Sequence, residues 1–363
     1  MRSFAIILSV MLAACGGSAT TATPSLPLSS AARAQTAAGV PPSFLCLPKF
    51  NAAKARSPRI AYASACSVAQ APEREALRKL AVGMMALSGS TFVSYCTGVP
   101  IAYDATTRVG FVVTAAHCVV GGQKAAGAQI ASGNITTYEN RKYRDEIHQG
   151  DIGQATSREL IARVKAVYVP SEYCKAAAFQ FGRCSAFDEQ NGDLAVLKVE
   201  TKNNATLGVL PSLRIAPAHA SLAHGTPIMA LGYGLNTGPT PNDRVLNYIT
   251  YEYFADDLYN GIESQTSIMA GYRHNQRYYA IVCQGDSGGG DFYWDGSHWN
   301  LVGEHSWGTT PCGGSGGTYG DAFDVSGDVR PFAEWIAKIV REDVRAAGCA
   351  PLGAPYVCAS SRF

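Results

Sequence analysis

Beyond Val82 the chain runs in short apolar stretches broken by Gly, Pro, Asn and Asp. Phe92-Val93-Ser94-Tyr95, Gly110 to Thr114, Ile161 to Val169, Leu194 to Val199, Ile228 to Leu231, Tyr278 to Val282 and Asn300 to Gly303 are the clearest. Short runs of this kind, bounded by turn residues, predict an all-β sandwich or barrel. Two segments follow a helical period instead. Residues 72–80 open on a Pro suited to a first turn and continue with strong helix formers, Glu73 to Leu80, which predicts a helix. Between Val329 and Val344, Phe332, Trp335, Ile336, Ile339 and Val340 recur at helical spacing and predict a C-terminal helix. Residues 16–44 are rich in Ala, Ser, Thr, Gly and Pro, with Arg33 the one charge. That composition cannot bury a core and reads as a flexible tether.

Composition adds bounds rather than direction. A chain of 363 residues holds one large domain or two medium ones. With 30 Lys+Arg against 28 Asp+Glu, the net charge of +2 gives no electrostatic case for a nucleic acid partner or an anionic membrane surface. The N-terminus says more. Met1-Arg2 precedes an apolar run from Phe4 to Ala14, too short to span a bilayer and suited to a secretory signal. The run ends in Leu12-Ala13-Ala14-Cys15, which resembles a bacterial lipoprotein box. That resemblance implies cleavage before Cys15, lipidation of its sulfur, and a membrane link through that anchor alone. Gly16 in the next position favours the outer membrane. The plainer reading is an ordinary signal and a secreted chain.

Ten cysteines remain beyond Cys15, an even number in an exported chain, and they read as disulfides. The count leaves connectivity open. The simplest hypothesis joins neighbours: Cys46–Cys66, Cys96–Cys118, Cys174–Cys184, Cys283–Cys312 and Cys349–Cys358. Short CxxC groupings typical of zinc sites are missing, so neither a metal nor a cofactor is expected.

Three segments carry chemistry by occurring together: Thr114-Ala115-Ala116-His117-Cys118, Asn191-Gly192-Asp193-Leu194 and Cys283-Gln284-Gly285-Asp286-Ser287-Gly288-Gly289. A serine hydroxyl needs a neighbouring base, and histidine has the pKa for that task. A buried carboxylate then fixes the imidazole tautomer. Glycines around Ser287 permit a tight turn whose N–H groups can converge on an oxyanion. Taken singly, His117 could be a core histidine, Asp193 a turn cap and Ser287 a loop residue.

Together the segments resemble the chymotrypsin/trypsin-like serine protease family, whose triad also runs His, Asp, Ser. The likeness covers about Val82 to Val344 and extends to Cys96-Thr97-Gly98, Val169-Pro170-Ser171-Glu172-Tyr173, Gly232-Tyr233-Gly234, Ser306-Trp307-Gly308 and Trp335-Ile336. It implies two six-stranded antiparallel β-barrels with a C-terminal α-helix, acting as a monomer on polypeptide substrates. Ser287 would be the nucleophile, His117 the general base and Asp193 the orienting carboxylate. Gly285 and Ser287 N–H groups would form the oxyanion hole, and Ser306 and Gly308 would hold substrate backbone. The same resemblance supports Cys96–Cys118 and Cys283–Cys312. The alternative is a catalytically silent binding module on this fold.

For specificity, the residue six before the serine is Ile281, so the acid that selects Lys or Arg in relatives is missing there. Gly308 and Gly317 would leave the pocket open, and an apolar preference follows. His305 stands where Glu-cutting relatives carry a pocket histidine, which makes Glu the alternative. The family's freed Ile-Val-Gly-Gly terminus, which pairs with the residue matching Asp286, has no counterpart here. Cleavage after Arg59, cleavage after Lys79, and no cleavage all stay open. The expected organisation is a signal at 1–14, a lipid-anchored tether at 15–45, a pro-segment at 46–81, the protease domain at 82–345 and a disulfide-closed tail at 346–363. Added loops at 121–158 and 174–184 would shape substrate access.

Overall fold

Among the described residues, six strands make up a first ring: β1 (Val82–Ser88), β2 (Thr91–Asp104), β3 (Val109–Thr114), β4 (Glu146–His148), β5 (Ala162–Pro170) and β6 (Ala195–Thr201). They pair antiparallel in the order β6-β3-β2-β1-β4-β5, and β5 returns to β6 to close the ring. A second set follows: β7 (Pro227–Gly232), β8 (Asn247–Phe254), β9 (Ser267–His274), β10 (Gly290–Trp294), β11 (Trp299–Gly308) and β12 (Asp324–Asp328). Its antiparallel order, β8-β7-β10-β11-β12-β9, closes through β9 on β8. The architecture is the expected pair of six-stranded barrels. This computed structural model describes residues 40–47, 65–88, 90–120, 146–173, 179–180, 183–184, 192–218, 220–234, 244–254, 267–274, 277–279, 282–308, 324–342 and 356–358. The signal, Cys15, the Arg59–Ile60 bond, Cys174, Ile281, Cys312, Gly317, Cys349 and most of the 121–158 loop lie outside the described residues.

The unbroken apolar runs have a physical cause: several strands are covered on both faces. Along β6 and the residue before it, Leu194 and Val196 join Val99, Val113, Met229, Leu231 and Trp299 in a core that draws on both barrels. The alternate residues Ala195, Leu197 and Val199 pack with Val82, Met84, Ile147 and Val167 inside the first barrel. With no face left for solvent, alternation disappears from the sequence.

Both expected helices form, each shorter than its pattern. α1 spans Arg74–Arg78, and the N–H groups of Lys79 and Leu80 turn back to Ala76 and Leu77, tightening its end. Leu77 is buried beneath it, while Arg74 and Arg78 both reach the Asp151 carboxylate. A further short helix, α2 (Ala116–Val120), follows β3 directly. Near the C-terminus a 3-10 turn at Arg330–Phe332 precedes α3 (Ala333–Val340), which buries Trp335, Ile336 and Ile339.

Two of the expected disulfides are present, Cys46–Cys66 and Cys96–Cys118. Cys283 is also disulfide-bonded, with its partner outside the described residues. Cys46 exchanges hydrogen bonds with Thr250 on β8, and Phe44 meets Trp299 edge-on at 5.1 Å. The segment ahead of the first barrel is therefore seated on the second. From the tail, Tyr356–Cys358 runs parallel to β5 as an added strand.

Candidate active site

β3 ends at Thr114, and α2 begins two residues later with His117 in its first turn. Asp193 precedes β6 in a tight turn where Leu194 N–H donates to Gly192 O at 2.6 Å. Because β6 pairs with β3, these two strand ends are neighbours. The His117 backbone N–H donates to Asp193 Oδ1 at 2.8 Å, and His117 Nδ1 lies 2.6 Å from Oδ2. Ser306 Oγ donates to the same Oδ2. Asp193 is 1% exposed. Burial alone would push its carboxyl up, but the His117 charge, the His117 hydrogen bonds and the Ser306 hydroxyl outweigh that and hold it below the usual carboxylate range.

Ser287 arrives from the second barrel, on the turn just before β10. That turn is fastened from both sides. Thr97 N–H, on β2, donates to Ser287 O at 2.8 Å; Gly288 N–H donates to His305 O at 2.7 Å, and His305 N–H to Gly289 O at 2.8 Å. Thr97 Oγ1 donates to Gly285 O at 2.8 Å and accepts from Tyr233 N–H at 3.0 Å. Gly288 has φ +80°, and a Cβ there would stand 2.1 Å from Thr114 Oγ1 and 2.4 Å from Thr97 O. Only glycine fits both that conformation and that gap. Gly285 has φ +98°, with Arg244 Nη1 2.3 Å from where its Cβ would be. The Cys96–Cys118 bridge joins the parts: Cys118 Sγ is 3.8 Å from His117 Nε2 and 3.6 Å from Ser287 O.

Cys96, Cys118 and His117 bring two sulfurs and a ring nitrogen within 4.8 Å of one another. The sulfurs are bonded to each other, so they are not thiolate ligands for a metal.

The residues flanking this centre divide. Asp286 accepts from Gly234 N–H at 2.7 Å and Cys283 N–H at 2.9 Å. Burial still outweighs the charges of His305 and Arg244, and its pKa is raised. His305 is buried, with Nε2 2.9 Å from Asp291 Oδ1, an oxygen that also accepts from Tyr251 Oη. Burial pulls the His305 imidazole down, but Asp291, Asp286 and Asp324 outweigh it and the net shift is upward. Gly308 is exposed at the end of β11. Ile281 and Gly317 lie outside the described residues.

Sequence reasoning passed over Arg244, Asp291, Glu304 and Asp324, and took Thr97 only as part of a motif. One signal was available for Glu304, an acid embedded in the apolar run of β11. It is fully buried, and burial with the nearby charges of Asp193 and Asp291 lifts its carboxyl well above the usual range.

With this geometry in place, comparison with known proteins gives two findings. A solved structure described as neuropsin, a serine protease expressed in the limbic system of mouse brain, is similar at 20% identity and TM-score 0.45, over 73% of this chain and 96% of that one. The family profile named Trypsin matches residues 81–336, a stretch that takes in both barrels together with His117, Asp193 and Ser287. The chain belongs to the trypsin family.

Proposed function

We propose that this protein is a serine endopeptidase that cuts polypeptides through Ser287, His117 and Asp193. The observation that carries the reading is the His117–Asp193 pair, made by two hydrogen bonds in the first barrel, with the Ser287 turn held against it by Thr97. In the proposed cycle Ser287 Oγ attacks the peptide carbonyl carbon while His117 Nε2 takes its proton. Asp193 holds the Nδ1 proton and stabilises the imidazolium. The Gly285 and Ser287 N–H groups receive the oxyanion. His117 then passes its proton to the leaving amine, and an acyl-Ser287 ester forms. Water, deprotonated by His117, attacks the ester and releases the acid. No cofactor enters any step.

The side-chain preference expected from Ile281 is apolar. The Glu alternative rests on His305, and the Asp291 partner of its Nε2 weighs against that role. For activation, Leu80 and Ala81 are buried, which argues against a cut after Lys79. A cut after Arg59 would leave the upstream segment attached through Cys46–Cys66. The disulfides suit an exported protein, and lipidation of Cys15 would anchor it to the envelope as a monomer.

The test is hydrolysis of a mixed peptide library by the purified chain, before and after limited trypsin treatment. Cleavage by wild type that disappears in Ser287→Ala supports the reading. A folded, clipped chain that cuts nothing sinks it.

A further inference from the structure

The Ser287 turn is met by a charge that the proposed cycle does not use. Arg244 Nη1 is buried without a hydrogen-bond partner, and it stands 2.3 Å from where a Gly285 Cβ would be. A guanidinium nitrogen sealed from water calls for an opposite charge nearby. Burial pulls the Arg244 pKa down, and the charge that works against this is Asp286. The Asp286 carboxylate fills the space beside Gly234, where a Cβ would lie 2.2 Å from its Oδ2. Gly234 Cα in turn lies 3.3 Å from the place of a Gly285 Cβ. Arg244 and Asp286 therefore border one gap, beside an N–H proposed to receive the oxyanion. His305 also acts on Asp286, but its Nε2 is committed to Asp291.

The base of Arg244 is fixed by the first barrel. Its carbonyl accepts the Gly153 N–H at 2.6 Å, Val245 bridges to Ile152, and Leu246 N–H donates to Asp151 O at 2.7 Å. Gly153 O accepts the Ser94 N–H, on β2, at 2.7 Å. The Asp151 side chain is gripped by the segment ahead of that barrel. Arg74 and Arg78 of α1 both donate to it, Arg78 through a fork of Nε at 2.8 Å and Nη2 at 2.7 Å. Val68 N–H, from the same segment, donates to Leu246 O at 2.9 Å. Bonds thus run without a break from α1 through Asp151 to residues 244–246, and the Arg244 side chain carries the path to the Ser287 turn.

We infer that Arg244 is a positioning residue for the Ser287 turn, supplying the positive charge for Asp286, and that the segment ahead of the first barrel holds Arg244 in place through Asp151. The inference rests on the endopeptidase reading and adds its activation route. Residues 65–81 serve the site rather than mask it, and the turn is set in the uncut chain. A guanidinium stays protonated throughout the working range, so no freed amino terminus is needed as the cation.

The experiment uses the full chain, uncut and trypsin-clipped. Peptide turnover by the uncut chain should equal that of the clipped one. Arg244→Met should lower kcat about 100-fold with KM little changed, the loss expected when an oxyanion donor is misplaced. Arg244→Lys, which keeps the charge without the fork, should lose about tenfold. Arg78→Gln should lower kcat about fivefold when Arg244 is present and leave it unchanged in Arg244→Met, the coupling that a shared path requires. Chemical denaturation reads the pairing without turnover. Arg244→Met should raise the unfolding constant at least about tenfold more with Asp286 present than in Asp286→Asn. Activity that appears only after clipping, a wild-type kcat in Arg244→Met, or an Arg78→Gln effect that persists without Arg244 would overturn the inference. If Arg244 and Asp286 are coupled in a chain that cuts nothing, clipped or not, the pairing holds and the protease reading fails. Turnover without that coupling overturns the positioning role alone.

Discussion

The buried acid beside His117 in the first barrel and the buried polar groups around His305 in the second are met differently. In the first, Asp193 is enclosed by donors, namely His117 N–H and Nδ1 and the Ser306 hydroxyl that reaches across from the second barrel. In the second, Asp291 Oδ2, His305 Nδ1 and Ser326 Oγ are buried without a hydrogen-bond partner, and Glu304 lies close behind Asp193 as a carboxyl pushed toward its neutral form. Satisfied buried groups hold one geometry, whereas unsatisfied ones cost stability and call for another explanation. In the proposed endopeptidase, this contrast gives the first barrel the preset part of the geometry, the His117–Asp193 pair. The second carries the Ser287 turn proposed to supply the nucleophile.

The largest effect should come from removing the charge at the best-satisfied site. Asp193→Asn should lower kcat by about 10⁴-fold with little change in KM, because an amide cannot hold the required His117 tautomer; steady-state kinetics checks it. Next comes the core shared by the two barrels, where α3 packs. Trp335→Ala should cost about 3–5 kcal/mol in chemical denaturation, since its ring is fully buried against Phe332. A smaller loss, about 1–3 kcal/mol, is expected for Thr97→Val, which leaves Gly285 O and Tyr233 N–H without their partner. Here kcat should fall more than stability alone would suggest, because the lost bonds steady the Ser287 turn between the barrels.

The smallest effect separates two carboxyls by sign. Asp193 is held below its ordinary value of 3.8, so its stabilisation is present above that pH and is lost as pH falls through the folded value. Glu304 is held well above its ordinary 4.5, so its neutral form supports the fold at low pH and that support is lost as pH rises through the folded value. Thermal melts across pH should therefore show Glu304→Gln flattening the decline on the rising-pH side while leaving the acid side as in wild type.

Much of this was legible in the sequence because the chemistry is local. His117, Asp193 and Ser287 each sit in a short distinctive segment, and strands such as β3 and β6 are written as dense apolar runs. β8 and β9 were missed because Asn247-Tyr248-Ile249-Thr250-Tyr251-Glu252 and Ser267 to His274 mix polar residues into the strand, and pairing rather than composition holds them in the sheet. α2 was hidden by its length of five residues. Asp324 and Thr97 are hydrogen-bonded to residues 42 and 188 positions away, Val282 and Gly285, a relation that no local pattern encodes.

The central claim is that Ser287 is an activated nucleophile. Its most direct measurement is reaction of the purified, trypsin-clipped chain with a fluorophosphonate probe, followed by peptide mapping of the adduct. The account predicts one labelled residue, Ser287, with labelling lost in His117→Ala although the serine remains. A folded chain that takes no label, or one labelled elsewhere and indifferent to His117, would contradict it.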